Sequence, residues 1–142
     1  MAISECPVLI SRISYTTLTT ADLYKPVHLT TAGYAHVGRN DTGGGNKPFG
    51  VCYGVTKTTS TRSEAIPIAI GGVAKVRMTA STAEAGELIG MSSDGYGCVP
   101  ATTNFWVFGR IVEGTSGTTG QVVSAVIWPV PIRYTALLIS TT

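Results

Sequence analysis

Charge is what this chain has least of. Asp, Glu, Lys and Arg make up 13% of its 142 residues, about half the share of an ordinary soluble domain. Combined with 44% hydrophobic residues, that scarcity excludes intrinsic disorder and describes a chain that hides much of its surface, part of it against partners. The ten Lys and Arg are interspersed with eight acids for a net charge of +2. No basic stripe exists to neutralise a row of phosphates, so nucleic acid is not an expected partner. Long apolar runs are also missing. The longest, 121–128 and 136–139, stop far short of the roughly 20 residues a membrane-crossing helix needs, and no membrane span is expected. Glu5 and Pro7 stand where a secretion signal would need a basic patch and an apolar run, so no export signal is expected.

Cysteine is sparse and unpaired in pattern. Cys6, Cys52 and Cys98 are odd in number and form no CxxC motif, which argues against both a disulfide framework and a zinc site. They read as buried, reduced thiols. Only two imidazoles are present, His28 and His36, each flanked by apolar neighbours and accompanied by no acid. They read as ordinary strand or loop residues rather than a catalytic base or metal ligands. The acids Asp22, Asp41, Glu64, Glu84, Glu87, Asp94 and Glu113 fall mostly in turns or at strand ends. That placement suits solvation better than the paired carboxylates of a glycoside hydrolase. Gly43, Gly44 and Gly45, and the run 114–120, lack the Lys-Ser or Lys-Thr of a phosphate cradle and open no helix. The expectation is no catalytic, cofactor-binding or metal-binding residue, no cofactor, and a protein that binds rather than an enzyme.

What the chain does have is a dense series of turn residues separating short, β-branched, often alternating segments, the pattern of a sandwich or barrel. Strands are expected at 8–14, 25–30, 49–55, 65–70, 73–78, 88–91, 97–100, 106–113 and 121–128, with turns at 92–95 and 114–120. Gly71 and Gly72 supply the positive φ of a two-residue hairpin turn between two of these strands. Pro67 cannot donate a ladder hydrogen bond, which predicts an edge or a bulge rather than a central strand. Ser81 and Glu84 have capping-box spacing, enough for one helical turn. The loops 38–47 and 57–63 are polar. Among the aromatics, Trp106 and Phe108 should share a strand face and pack in the core. One domain of this length can bury roughly two-thirds of its unfolded surface.

Several segments, taken in order, resemble the capsid decoration, or cement, proteins on the heads of tailed bacteriophages. The likeness starts at Lys25-Pro26-Val27-His28-Leu29-Thr30 and passes through Lys47-Pro48-Phe49-Gly50-Val51-Cys52. It resumes with Glu64-Ala65-Ile66-Pro67-Ile68-Ala69-Ile70-Gly71-Gly72-Val73, then Ala85-Gly86-Glu87-Leu88-Ile89 and Ser93-Asp94-Gly95-Tyr96-Gly97. It ends with Phe108-Gly109-Arg110-Ile111-Val112-Glu113-Gly114 and a closing apolar strand. These segments cover about 25–128. The likeness lies in the shared order of turn and strand signatures, since each piece alone is weak.

The resemblance implies an all-β, small single-domain β-barrel or sandwich, β-tulip-like, as a decoration domain at 25–128. The residues outside it, where Pro129 and Pro131 rule out a clean central strand, read as extended N- and C-terminal arms at 1–24 and 129–142 and depart from the minimal domain of that family. The resemblance further implies a structural virion protein, made in the host cytoplasm, on the outer surface of an assembled head. There it would stabilise contacts between subunits of the major capsid protein, as a homo-oligomer with a trimer favoured. Apolar segments 8–10 and 136–139, left over once the core hairpins are counted, are expected to carry attachment by adding a strand to a neighbour's sheet. The alternatives are a carbohydrate-binding β module, motivated by Trp106, Trp128 and the tyrosines, and another small β virion component such as a tail or connector protein.

Overall fold

The computed structural model describes residues 5–37, 47–56, 64–79, 83–92, 94–100, 105–114 and 119–134. Nine strands form one curled sheet: β1 (Cys6–Ile13), β2 (Pro26–Leu29), β3 (Ala35–Val37), β4 (Gly50–Cys52), β5 (Ala65–Arg77), β6 (Leu88–Met91), β7 (Gly97–Cys98), β8 (Phe105–Glu113) and β9 (Val122–Tyr134). A single 3-10 turn, Thr20–Asp22, is the one helical segment among the described residues; it is capped by Thr19, whose hydroxyl accepts from the Ala21 N–H while its own N–H donates to Asp22. The fold is thus all-β, as the punctuation of the sequence requires. The expected turns hold less well at 71–72 and at 81–84: the first is corrected below, and Ser81 lies outside the described residues.

The sheet runs β3-β2-β4-β5-β9-β8-β6-β7, with β1 on β5 beside that path. Two isolated parallel bridges close it twice. Ser14 meets Ala35 at the end of β1, with the Tyr15 N–H donating to the Ala35 carbonyl at 2.7 Å, so β1, β5, β4, β2 and β3 form a ring. Met78 meets Gly97, with the Thr79 N–H on the Gly97 carbonyl at 2.9 Å, so β5, β9, β8, β6 and β7 form a second. Each ring has its own apolar filling. The first holds Leu18, Val27, Ala35, Val37, Cys52, Ile66 and Ile68; the second is built on Ala74, Val76, Met78, Ile89, Phe108, Ile111, Val123, Ala125 and Ile127.

β5 belongs to both rings, and its glycine pair is what allows this. The sequence predicts a hairpin at Gly71-Gly72; instead the chain runs straight through as one 13-residue strand. Val8 faces Gly71 while Leu9 faces Ala69, leaving Ile70 as an extra residue, a β-bulge. An inserted residue reverses which side chains face which way. Before it, Ile66 and Ile68 enter the first core; after it, Ala74, Val76 and Met78 join Ala69 in the second. Gly72 has φ +73°, and a Cβ there would run into the carbonyl oxygen of Cys6.

Pro67 is likewise not at an edge, since β5 pairs with β1, β4 and β9. The ladder tolerates it for a local reason. The Ser14 N–H bonds the Glu64 carbonyl, and alternation along an antiparallel pair then turns the Pro67 nitrogen away from β1. On the other side it lies at the last rung of β4, where its carbonyl accepts from Tyr53 N–H at 3.0 Å, so at most one hydrogen bond is forgone. Residues 6–13, within the expected N-terminal arm, are extended but docked along β5 over eight paired positions. β9 continues through the expected boundary at 128 to Tyr134.

Candidate functional site

β8 and β9 pair from Glu113 and Ser124 to Gly109 and Ile127, break, and resume from Val107 and Ile132 to Phe105 and Tyr134. In the gap Phe108 alone stands opposite Trp128, Pro129, Val130 and Pro131. Neither proline has an N–H to give, so the segment leaves the ladder and the strand bends. Phe108 is buried in the second core, whereas Trp106 stays only half-buried outside it. The expectation that the two rings share a core-facing side is therefore corrected by a break in pairing between them.

The displaced segment forms one wall of a groove of about 380 Å³. Its other wall is Leu29, at the end of β2, with Lys47, Pro48 and Phe49 leading into β4. Apolar surface continues past the groove along β9, where Val130 is 67% and Ile132 51% exposed. Lys47 links this lining to Trp106. Register puts Arg133 directly across from it, with the guanidinium carbon 5.7 Å from the ring centre, and Lys47 brings its ammonium to 5.3 Å from the same point. Both distances are within cation–π range. Among the described residues neither cation has a carboxylate partner; the two ion pairs, Lys25 with Asp22 and Lys75 with Glu5, lie elsewhere. The arrangement can hold an apolar group beside an anion.

The residues weighed as chemistry are dispersed. His28 and His36 are buried cross-strand partners on β2 and β3, ring centres 4.9 Å apart, with Tyr15 4.9 Å from His36. Asp22 caps the 3-10 turn, Glu87 accepts from the Glu84 N–H, and Asp94 takes hydroxyls from Ser92 and Thr79 in the 92–95 turn. Among the described residues no group of three His, Cys, Asp or Glu is placed to hold a metal ion. Cys52 and Cys98 are buried as expected, whereas Cys6, also expected to be buried, is exposed at the start of β1. The glycine run 43–45, Asp41 and the segment 136–139 lie outside the described residues, as does most of the 114–120 turn.

The groove was missed by sequence reasoning because its walls come from three separated stretches. One signal for it was available. Pro129 and Pro131 forbid a regular ladder with the strand carrying Trp106, so a break in pairing beside Trp106 was foreseeable.

No protein-family profile matches this chain, and no curated protein is similar to it in sequence. A solved structure is similar in fold: the crystal structure of the head fiber gp8.5 N base in bacteriophage phi29, at a TM-score of 0.55 and 15% identity, covering 89% of this chain and 98% of that one. The likeness is one of fold.

Proposed function

We propose that this chain is a structural protein of a tailed-bacteriophage virion, attached to the outer surface of the head, where it stabilises contacts between major capsid protein subunits, and that it is not an enzyme. The observation that carries this reading is the shared all-β fold, nearly end to end, with the base of a phage head fiber. The ordered likeness of 25–128 to decoration proteins supports it independently. Scarce charge and exposed apolar positions on β1 and β9 suit a module packed among neighbours. Assembly as a homo-oligomer, a trimer favoured, belongs to the same reading.

The N-terminal half of the expected attachment mechanism changes form. Residues 8–10 already pair with β5, so they are not free to be donated; β1 instead offers its outer edge, with Val8 and Leu9 exposed, to a neighbour's strand. The reading is tested by sedimenting purified protein with phage heads that lack it. Saturable pelleting at a fixed ratio per coat subunit, with increased heat resistance of the shells, is expected. Absence of both would sink it. A carbohydrate-binding module is the second reading, favoured by Trp106 standing outside the core, and a positive glycan array would support it.

A further inference from the structure

We infer that the groove between β9 and the segment entering β4 receives an extended segment of a shell subunit, placing an aliphatic side chain against Pro129 and Val130 and an Asp or Glu carboxylate between Lys47 and Arg133. The inference rests on the head-surface reading for the identity of the partner. The site itself rests on the geometry.

Charge complementarity selects the anion. Lys47 and Arg133 crowd one indole ring with no described carboxylate to compensate them, so an incoming carboxylate relieves their mutual repulsion as well as pairing with them. The lining selects the rest of the ligand. Among the described residues that line it, six are apolar and Lys47 is the exception. A sugar ring would need side-chain amides or carboxylates to meet its hydroxyls, and the described lining residues have none, whereas a peptide's aliphatic side chain needs only apolar contact. The proline-bearing wall is also stiff before binding, because each ring fixes its own φ and little order has to be created on association. Exposed Val130 and Ile132 extend the contact along the chain direction, which fits an extended segment better than a compact small molecule.

The test compares the full-length protein with two variants, Lys47→Glu combined with Arg133→Glu, and Val130→Asp alone, in sedimentation with heads lacking the protein. Each variant should lose at least tenfold in affinity while keeping the wild-type far-UV spectrum and melting temperature. Lys47→Arg combined with Arg133→Lys should bind nearly as well as wild type, and wild-type binding should weaken as salt is raised from about 0.05 to 0.5 M. If wild type binds and both disruptive variants bind equally well, the groove assignment is overturned and the head-surface reading stands. If wild type fails to bind heads, the head-surface reading falls and takes this partner with it. Displacement of wild type from heads by free sialylated oligosaccharide, but not by an acidic apolar peptide, would replace the peptide with a sugar acid and overturn the inference.

Discussion

Cys52 and Cys98 show how burial alone sets a residue's chemistry. Burial pushes the Cys52 thiol up to about 11 and the Cys98 thiol up to about 12. At pH 8 the thiolate fraction of Cys52 is then on the order of one in a thousand, and thiolate is the reactive form. A thiol reagent at pH 8 should therefore titrate one cysteine per native chain, the exposed Cys6, and three in denaturant. Rapid reaction of all three in the native protein would contradict the buried assignment. Stability should follow the same groups. Tyr53, also desolvated, is raised to about 12 although its hydroxyl accepts from the Lys75 N–H at 2.6 Å. Unfolded thiols and phenol ionise from about 9 to 10 while the folded ones wait until 11 to 12. In that window the unfolded chain binds fewer protons, so stability falls as pH rises through it. Urea midpoints measured from pH 8 to 11 should decline steadily above pH 9.

At the scale of elements, β5 shows both the reach and the limit of reading the sequence. Alternation made the strands themselves legible: 88–91 agrees with β6 to the residue, and 8–14, 25–30 and 106–113 are displaced only at their ends. Ala35–Val37 went unread because three residues carry too little periodicity to be seen. Gly71-Gly72 was misassigned because a residue at positive φ serves a hairpin turn and, as at Gly72 here, a strand that continues past a bulge. What separates them is whether β1 presents one residue or two across the gap, and that is decided more than fifty residues upstream. The groove was illegible for the same reason, except where Pro129 and Pro131 announce a broken ladder. The bulge makes a sharp prediction. Gly72→Ala should cost at least about 2 kcal/mol, since a left-handed φ and contact with the Cys6 carbonyl both oppose the new methyl. Gly71→Ala should cost under about 1 kcal/mol, because its Cβ would meet nothing nearer than Val8 at 3.7 Å. Urea unfolding of the pair checks this, and equal costs would refute the special demand placed on Gly72 beside the bulge.

At the scale of the whole molecule, the question is whether two rings with two cores behave as one unit. Separate fillings would ordinarily permit separate melting. Here, however, neither ring can close without β5, and the bulge makes the same strand supply Ile66 and Ile68 to one core and Ala74, Val76 and Met78 to the other. Further links cross between the halves. Arg77 at the end of β5 donates its N–H to the Tyr24 carbonyl and its guanidinium to the carbonyls of Leu23 and Gly120, while the Tyr24 N–H bonds the Cys52 carbonyl of β4. Releasing one ring would strand these groups and half of β5, so the cost of opening is shared and unfolding should be all-or-none. Ile68→Ala in the first core and Ile111→Ala in the second should each cost about 2–5 kcal/mol. Each should lower the same single calorimetric transition, with the calorimetric and van't Hoff enthalpies equal. Two transitions, of which each variant moves only its own, would show instead that β5 joins the cores without coupling them.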